Sequence, residues 1–272
     1  MYTLLLLLAL QAVNPREMAC LGFIQETSAP ADVYIAAVQD EGTSVFASEG
    51  QILHLNGPKA ASLNVGEIQR VIRPEGRVHD PWAGDYVGTY YRDLGTVRIE
   101  AVGPKNATAR VLLSCQPMLK GDLVVPGTAN AAVEFTGDLS NALTPIPDQG
   151  LISSIVLAKD DMQEIAAGHF CFIGLGARDG VKPGDRFTIF RPYPSYNSGD
   201  LSASGEGANA SYSPVRGSWY YRYILNAKLR NRTLPFNVLG DFVVARTGDR
   251  ISAGKIVNSL SEIQLGDLVV KQ

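Results

Sequence analysis

The sequence predicts an all-β chain of two tandem, duplicated small β-barrel domains joined by a linker. Three observations predict it. First, landmarks recur at fixed spacing: Gly50 to Gly66 is 16 residues, and so is Gly168 to Gly184. Leu94–Val125 and Leu239–Val270 align without a gap, 9 of 32 positions are identical, and both copies end in Gly-Asp-Leu-Val-Val. Such a self-match marks an internal repeat. Two copies are too few for a solenoid, so each is read as a globular domain. Second, short runs rich in β-branched and aromatic residues are bounded by Gly, Asn, Asp or Pro. Third, sustained helical periodicity is nearly absent.

The elements follow in chain order. Residues 1–31 are expected to form a signal peptide and leader, because Leu4–Leu8 and Ala9-Leu10 open an apolar run too short to span a bilayer. No Lys or Arg precedes the run, and Ala29-Pro30-Ala31 supplies small-residue cleavage chemistry late. Glu17-Met18-Ala19-Cys20 only half resembles a lipoprotein cleavage box, and a buried N-terminal helix is the alternative. Residues 32–126 form repeat 1, with strands expected at Val33–Val38, Ser44–Ala47, Ile52–Leu55, Ile68–Ile72, Val97–Val102 and Ala109–Leu113. Residues 127–150, with Pro145, Pro147 and many small polar residues, read as a linker carrying at most one short strand near Ala131–Phe135.

Residues 151–272 form repeat 2, whose strands include Phe242–Ala245 and Lys255–Asn258. It differs from repeat 1 chiefly by a long insert over 193–237. Six of the chain's 11 tyrosines lie there, with Trp219, Arg222, Lys228, Arg230 and Arg232. Gly66, Gly95, Gly121 and Asp122, and their counterparts Gly184, Gly240, Gly266 and Asp267, are expected to build structural turns. Of the three cysteines, Cys20 would leave with the leader. Cys115 and Cys171 are then either a pair or, more simply, small buried hydrophobes.

The phrase Gly176–Pro192, followed by Leu239-Gly240 and by Ser259 with Gly266–Val270, resembles the C-terminal domain of the flagellar assembly protein T. It is also similar to bacterial envelope proteins that carry such modules, often beside a peptidoglycan-binding LysM domain. The first copy resembles the pattern more loosely through Asn64–Glu67, Arg73-Pro74, Leu94-Gly95 and Gly121-Asp122. The matches cover most of residues 33–126 and 151–272. The resemblance implies a small β-barrel in the bacterial envelope, used for assembly or surface association. No LysM segment and none of the flagellar protein's other domains is recognisable, so a flagellar role does not follow.

Composition narrows the function further. Net charge is −3, with 46% hydrophobic and 19% charged residues, so no basic field points to nucleic acid. There is no Gly-x-Ser-x-Gly elbow, no phosphate-binding loop and no metal-ligand spacing. His79-Asp80-Pro81-Trp82 reads as a turn, with Asp80 orienting an imidazole as the alternative. A divergent hydrolase would require His79 or His169 to meet a carboxylate. The reading is therefore a non-enzymatic envelope protein, periplasmic or extracellular, without cofactor, metal or integral membrane segment in its mature chain. Its partners are other envelope proteins, peptidoglycan or another glycan, or further copies of itself. Partner contacts are expected at Tyr193, Tyr196, Trp219, Tyr220, Arg222, Arg230, Arg232 and Trp82, since Tyr, Trp and Arg dominate binding surfaces. Alternatively, Trp82 and Trp219–Tyr223 stack on sugars in a carbohydrate-binding module.

Overall fold

A computed structural model describes residues 10–39, 46–127, 132–135, 138–144, 151–192 and 236–272. The chain divides into two units, one formed by Met1–Val78 with Val87–Phe135, the other by His79–Tyr86 with Thr136–Gln272.

The first unit opens with β1 (Leu10–Val13), α1 (Pro15–Ala19) and β2 (Phe23–Gln25). Its barrel strands are β3 (Tyr34–Val38), β4 (Ile52–Asn56), β5 (Ile68–His79), β6 (Tyr86–Val102), β7 (Asn106–Ser114) and β8 (Leu123–Pro126). They close antiparallel in the order β6-β5-β8-β3-β4-β7, with β7 returning to β6. Strand β2 adds to the outer half of β6, and β9 (Val133–Phe135) pairs with β1 alone.

The second unit contains β10 (Ile152–Ala158), β11 (Glu164–Ile165), β12 (Phe170–Ile173), β13 (Arg186–Pro192), β14 (Phe236–Thr247), β15 (Ser252–Ser259), β16 (Ile263–Gln264) and β17 (Leu268–Lys271). Its barrel closes as β14-β13-β17-β10-β12-β15, the first barrel's order strand for strand. The likeness extends to irregularities. Register shifts fall between Thr96/Val97 and Ile99/Ala101 in the first barrel, and at the equivalent Asp241/Phe242 and Val244/Arg246 in the second. Bulges that recur are features of the design rather than accidents. The Ala47↔Met118 bridge has its equivalent in Ile165↔Ile263 of the β11–β16 pair.

Alternation of burial explains the strands. In β4, Leu53 and Leu55 face the interior while His54 and Asn56 face out. The first core gathers Ile35, Leu53, Leu55, Leu94 and Ile99, and the second gathers Ile155, Cys171, Ile173, Leu239 and Val244 at the same positions.

Four expectations are corrected. Gly95 and Gly240 lie inside β6 and β14, not in turns; a Cβ there would run into the carbonyls of Leu113 and Asn258 on the facing strand. Strand β5 continues through Pro74 to His79, well beyond Ile72. Of the residues expected to form a leader, 14–25 are built onto the first barrel, whereas Leu10–Val13 pairs only with β9. An Asn14–Glu17 capping box starts α1, in which Met18 and Ala19 are buried. Finally, Cys115 pairs with Cys20 rather than Cys171. Cys171 is free and buried, and that burial pushes its thiol pKa well above the ordinary range.

Candidate functional site

Both barrels place the Asp of the repeated Gly-Asp where it can clasp an arginine. Gly121 and Gly266, at φ 95 and 89, turn the chain into the closing strand in a conformation that favours glycine. Asp122 then accepts Arg73 Nε and Nη2, both at 2.8 Å, and Asp267 accepts Arg191 Nε at 2.7 Å and Nη2 at 2.8 Å. Each carboxylate also accepts a backbone amide three residues upstream, from Leu119 or Gln264. These are charge-assisted, two-pronged bonds. The bond to Asp122 raises the Arg73 pKa and holds its guanidinium charged.

In the second unit the candidate site lies at the root of the insert, on the face of β13 and β17 that carries Phe190, Leu268 and Val270. The insert leaves β13 at Pro192 and returns to β14 at Phe236, and these two residues are register partners. Its root is therefore a rigid hairpin. The Phe236 ring meets Phe190 edge-on at 5.3 Å. Phe236, Trp82 and Ile152 pack on a buried cluster of Phe190, Leu268 and Val270. Trp82 Nε1 donates to the Gly266 carbonyl at 2.7 Å. Trp82 and the insert's root, separate in sequence, thus pack on the same buried cluster. Tyr193, Tyr196, Trp219, Tyr220, Arg222, Arg230 and Arg232 lie outside the described residues. Phe236 and Asn237 stand at the positions of Tyr91 and Arg92, counted from the equivalent Leu94 and Leu239.

The remaining chemistry-bearing groups are engaged locally. Asp80 Oδ1 accepts the amides of Trp82 and Ala83 at 2.8 and 2.7 Å, which makes His79–Tyr86 a tight turn. His79 Nδ1 lies 3.1 Å from the Gly84 carbonyl, and His169 Nδ1 accepts the Ala166 amide at 3.0 Å. Among the described residues no group of three His, Cys, Asp or Glu could hold a metal ion, and no helix is long and apolar enough to cross a membrane.

Sequence reasoning missed two covering segments. In the first unit, Gly22 N donates to Asp93 Oδ2 at 2.9 Å, and Asp93 also receives buried Arg70 Nε at 3.0 Å. Phe23 stacks on Tyr91 at 5.2 Å with the Arg70 guanidinium 4.8 Å above its ring. In the second unit, Ser140 N and Oγ donate to buried Asp241 at 2.7 and 2.6 Å, and Asn258 Nδ2 donates to both Ser140 O and Asp241. Asp93 and Asp241 are not equivalent in the repeat, so no repeated signal could have found them.

The sequence matches no protein-family model and no curated protein.

Proposed function

We propose that the chain is a non-enzymatic bacterial cell-envelope protein whose tandem barrels act as a scaffold for assembly or for association with the peptidoglycan surface. The observation that carries this reading is the duplication of the Arg–Asp latch, which places the repeated polar residues in the barrels' own framework. Those side chains close strands; they do not converge on a cleft. His79 and His169, either of which a hydrolase would recruit, and Asp80 beside His79 are engaged in turn hydrogen bonds.

Two further points support the reading. The Cys20–Cys115 disulfide suits an oxidising compartment such as the periplasm, and the resemblance to envelope modules implies the same setting. The aromatic and basic insert is the element that distinguishes the second barrel, and long loops on a rigid scaffold commonly carry binding. A glycan-stacking role centred on Trp82 is less favoured, because its indole N–H is bonded to Gly266 and its ring packs on the Phe190 cluster.

Co-sedimentation with purified peptidoglycan sacculi, together with light scattering, tests the proposal. The full chain should pellet with sacculi or form defined oligomers. Deleting residues 195–213, or replacing Trp219, Arg230 and Arg232 by Ala, should weaken that association while circular dichroism stays unchanged. A chain that remains monomeric and stays in the supernatant would exclude the scaffold reading.

A further inference from the structure

We infer that the mature protein begins at Val13, through removal of residues 1–12 by a leader peptidase, and that residues 14–29 are a permanent strap of the first barrel. This rests on the export reading above, and it moves the processing point upstream from Ala31 to Ala12.

The argument is what a later cut would remove. Residues 14–25 hold the first barrel in four ways. Cys20 is bonded to Cys115 at the end of β7, across a sequence separation of 95. Strand β2 pairs with β6 through Phe23↔Tyr91, Ile24↔Tyr90 and Gln25↔Thr89. The Gly22 amide caps the buried Asp93 carboxylate. Leu21 is fully buried, with Met18, Ala19 and Ile24 close to it in exposure. Gly22 itself is dictated by this contact, since a Cβ there would lie 2.9 Å from the Tyr91 carbonyl. The Ala29 amide adds a bond to the Tyr91 hydroxyl at 2.9 Å. A cut after Ala31 would strip a strand from β6, orphan Cys115 and bare the buried Arg70–Asp93 pair.

Upstream of Val13, which is itself buried and paired with Val133, the situation reverses. Strand β1 pairs only with β9, in a two-stranded sheet separate from the barrel. Losing Leu10–Ala12 therefore removes no barrel strand. The Asn14–Glu17 capping box gives the retained segment its own start. Ala12 is the small residue that follows the apolar run before that start. Hydrolysis breaks the Ala12–Val13 amide; water supplies hydroxide to the Ala12 carbonyl and a proton to the Val13 amine.

Intact mass and N-terminal sequencing of protein from the envelope fraction of the source cells test this. The expected N-terminus is Val13, with Cys20 and Cys115 resistant to alkylation until reduced. Ala12→Asp should accumulate uncut chain, whereas Ala29→Asp should leave processing unchanged. Any other N-terminus, above all one between Pro15 and Asp32, overturns the inference. Uncut Met1 on cytoplasmic protein overturns it by sinking the export reading itself, and its mass and fraction distinguish that failure. As a second measurement, purified chains 13–272 and 32–272 are compared. The shorter should label at Cys115 and lose at least about 10 °C from its first unfolding transition; equal midpoints would show the strap dispensable and overturn the inference.

Discussion

The two barrels share strand order, bulge positions and the Arg–Asp latch, yet they solve one problem differently. Each leaves a buried aspartate on its longest strand, Asp93 on β6 and Asp241 on β14, and each covers it with chain from just upstream. The first barrel uses Gly22 and Phe23, pinned by a disulfide. The second uses Ser140 with Asn258, and no covalent bond. What is repeated is therefore what closes a barrel, and what differs is what covers it.

The largest effect is expected from breaking the first cover. In Asp93→Ala, Arg70 keeps a side chain only 9% exposed but loses its carboxylate partner. Removing one partner of a buried pair costs about 3–5 kcal/mol. Asp241→Ala leaves donors from Ser140 and Asn258 uncompensated and takes the carboxylate from Arg186, but that guanidinium lies 3.7 Å away and is 22% exposed, so the cost is about 1–3 kcal/mol. Denaturant titration read by hydrogen exchange in each unit should show the first unit suffering more. Equal losses would mean the covers are energetically alike despite their different chemistry.

The disulfide sharpens the same contrast. Cys20→Ser with Cys115→Ser should lower the first unit's stability by about 2–4 kcal/mol, as expected for a long closed loop. The second unit, where Leu260 replaces Cys115, should be unaffected. Protection of second-unit amides falling in parallel would contradict their independence.

Much of this was legible in the sequence. The repeat announced two barrels of one topology, and Gly121-Asp122 and Gly266-Asp267 marked the turns into the closing strands. The latch was also visible in principle, since Arg73 and Arg191 each stand seven residues after a repeated glycine, Gly66 or Gly184, and each aspartate directly follows another, Gly121 or Gly266. It was missed because the partners lie 49 and 76 residues apart. The strap was hidden for another reason. A leucine run drew residues 1–31 into one leader, so Cys20 was discarded with it. Gly95 and Gly240 read as turn residues because close backbone approach and positive φ both select glycine.

The latch offers a test in which the barrels should agree. Arg73 and Arg191 are part-exposed, at 29% and 22%, so solvent screening reduces the worth of each bond. Asp122→Ala and Asp267→Ala should each cost about 1–2 kcal/mol in their own unit. A large effect in one unit and none in the other would show that the shared motif has diverged in use.

The cores test whether the copies remain interchangeable at the level of packing. Leu53 and Ala109 are register partners in the first barrel, and Val97 shares their core cluster. The equivalent positions in the second barrel hold Cys171, Gly254 and Phe242, with Cys171 and Gly254 again register partners. Leucine, alanine and valine carry about as many side-chain atoms together as cysteine, glycine and phenylalanine, so the same volume is differently divided. Gly254 is constrained twice, because a Cβ there would run into the Val243 carbonyl and lie 2.5 Å from Phe242 Cζ. Single changes should overpack: Gly254→Ala or Cys171→Leu should each cost about 1–3 kcal/mol in the second unit. Combining both with Phe242→Val restores the volume and removes the ring contact while the Val243 carbonyl contact stays, so the triple variant should lose clearly less than the sum of the single losses. Thermal unfolding of the singles and the triple checks the coupling. Losses that simply add would mean that the three positions do not form one packing unit.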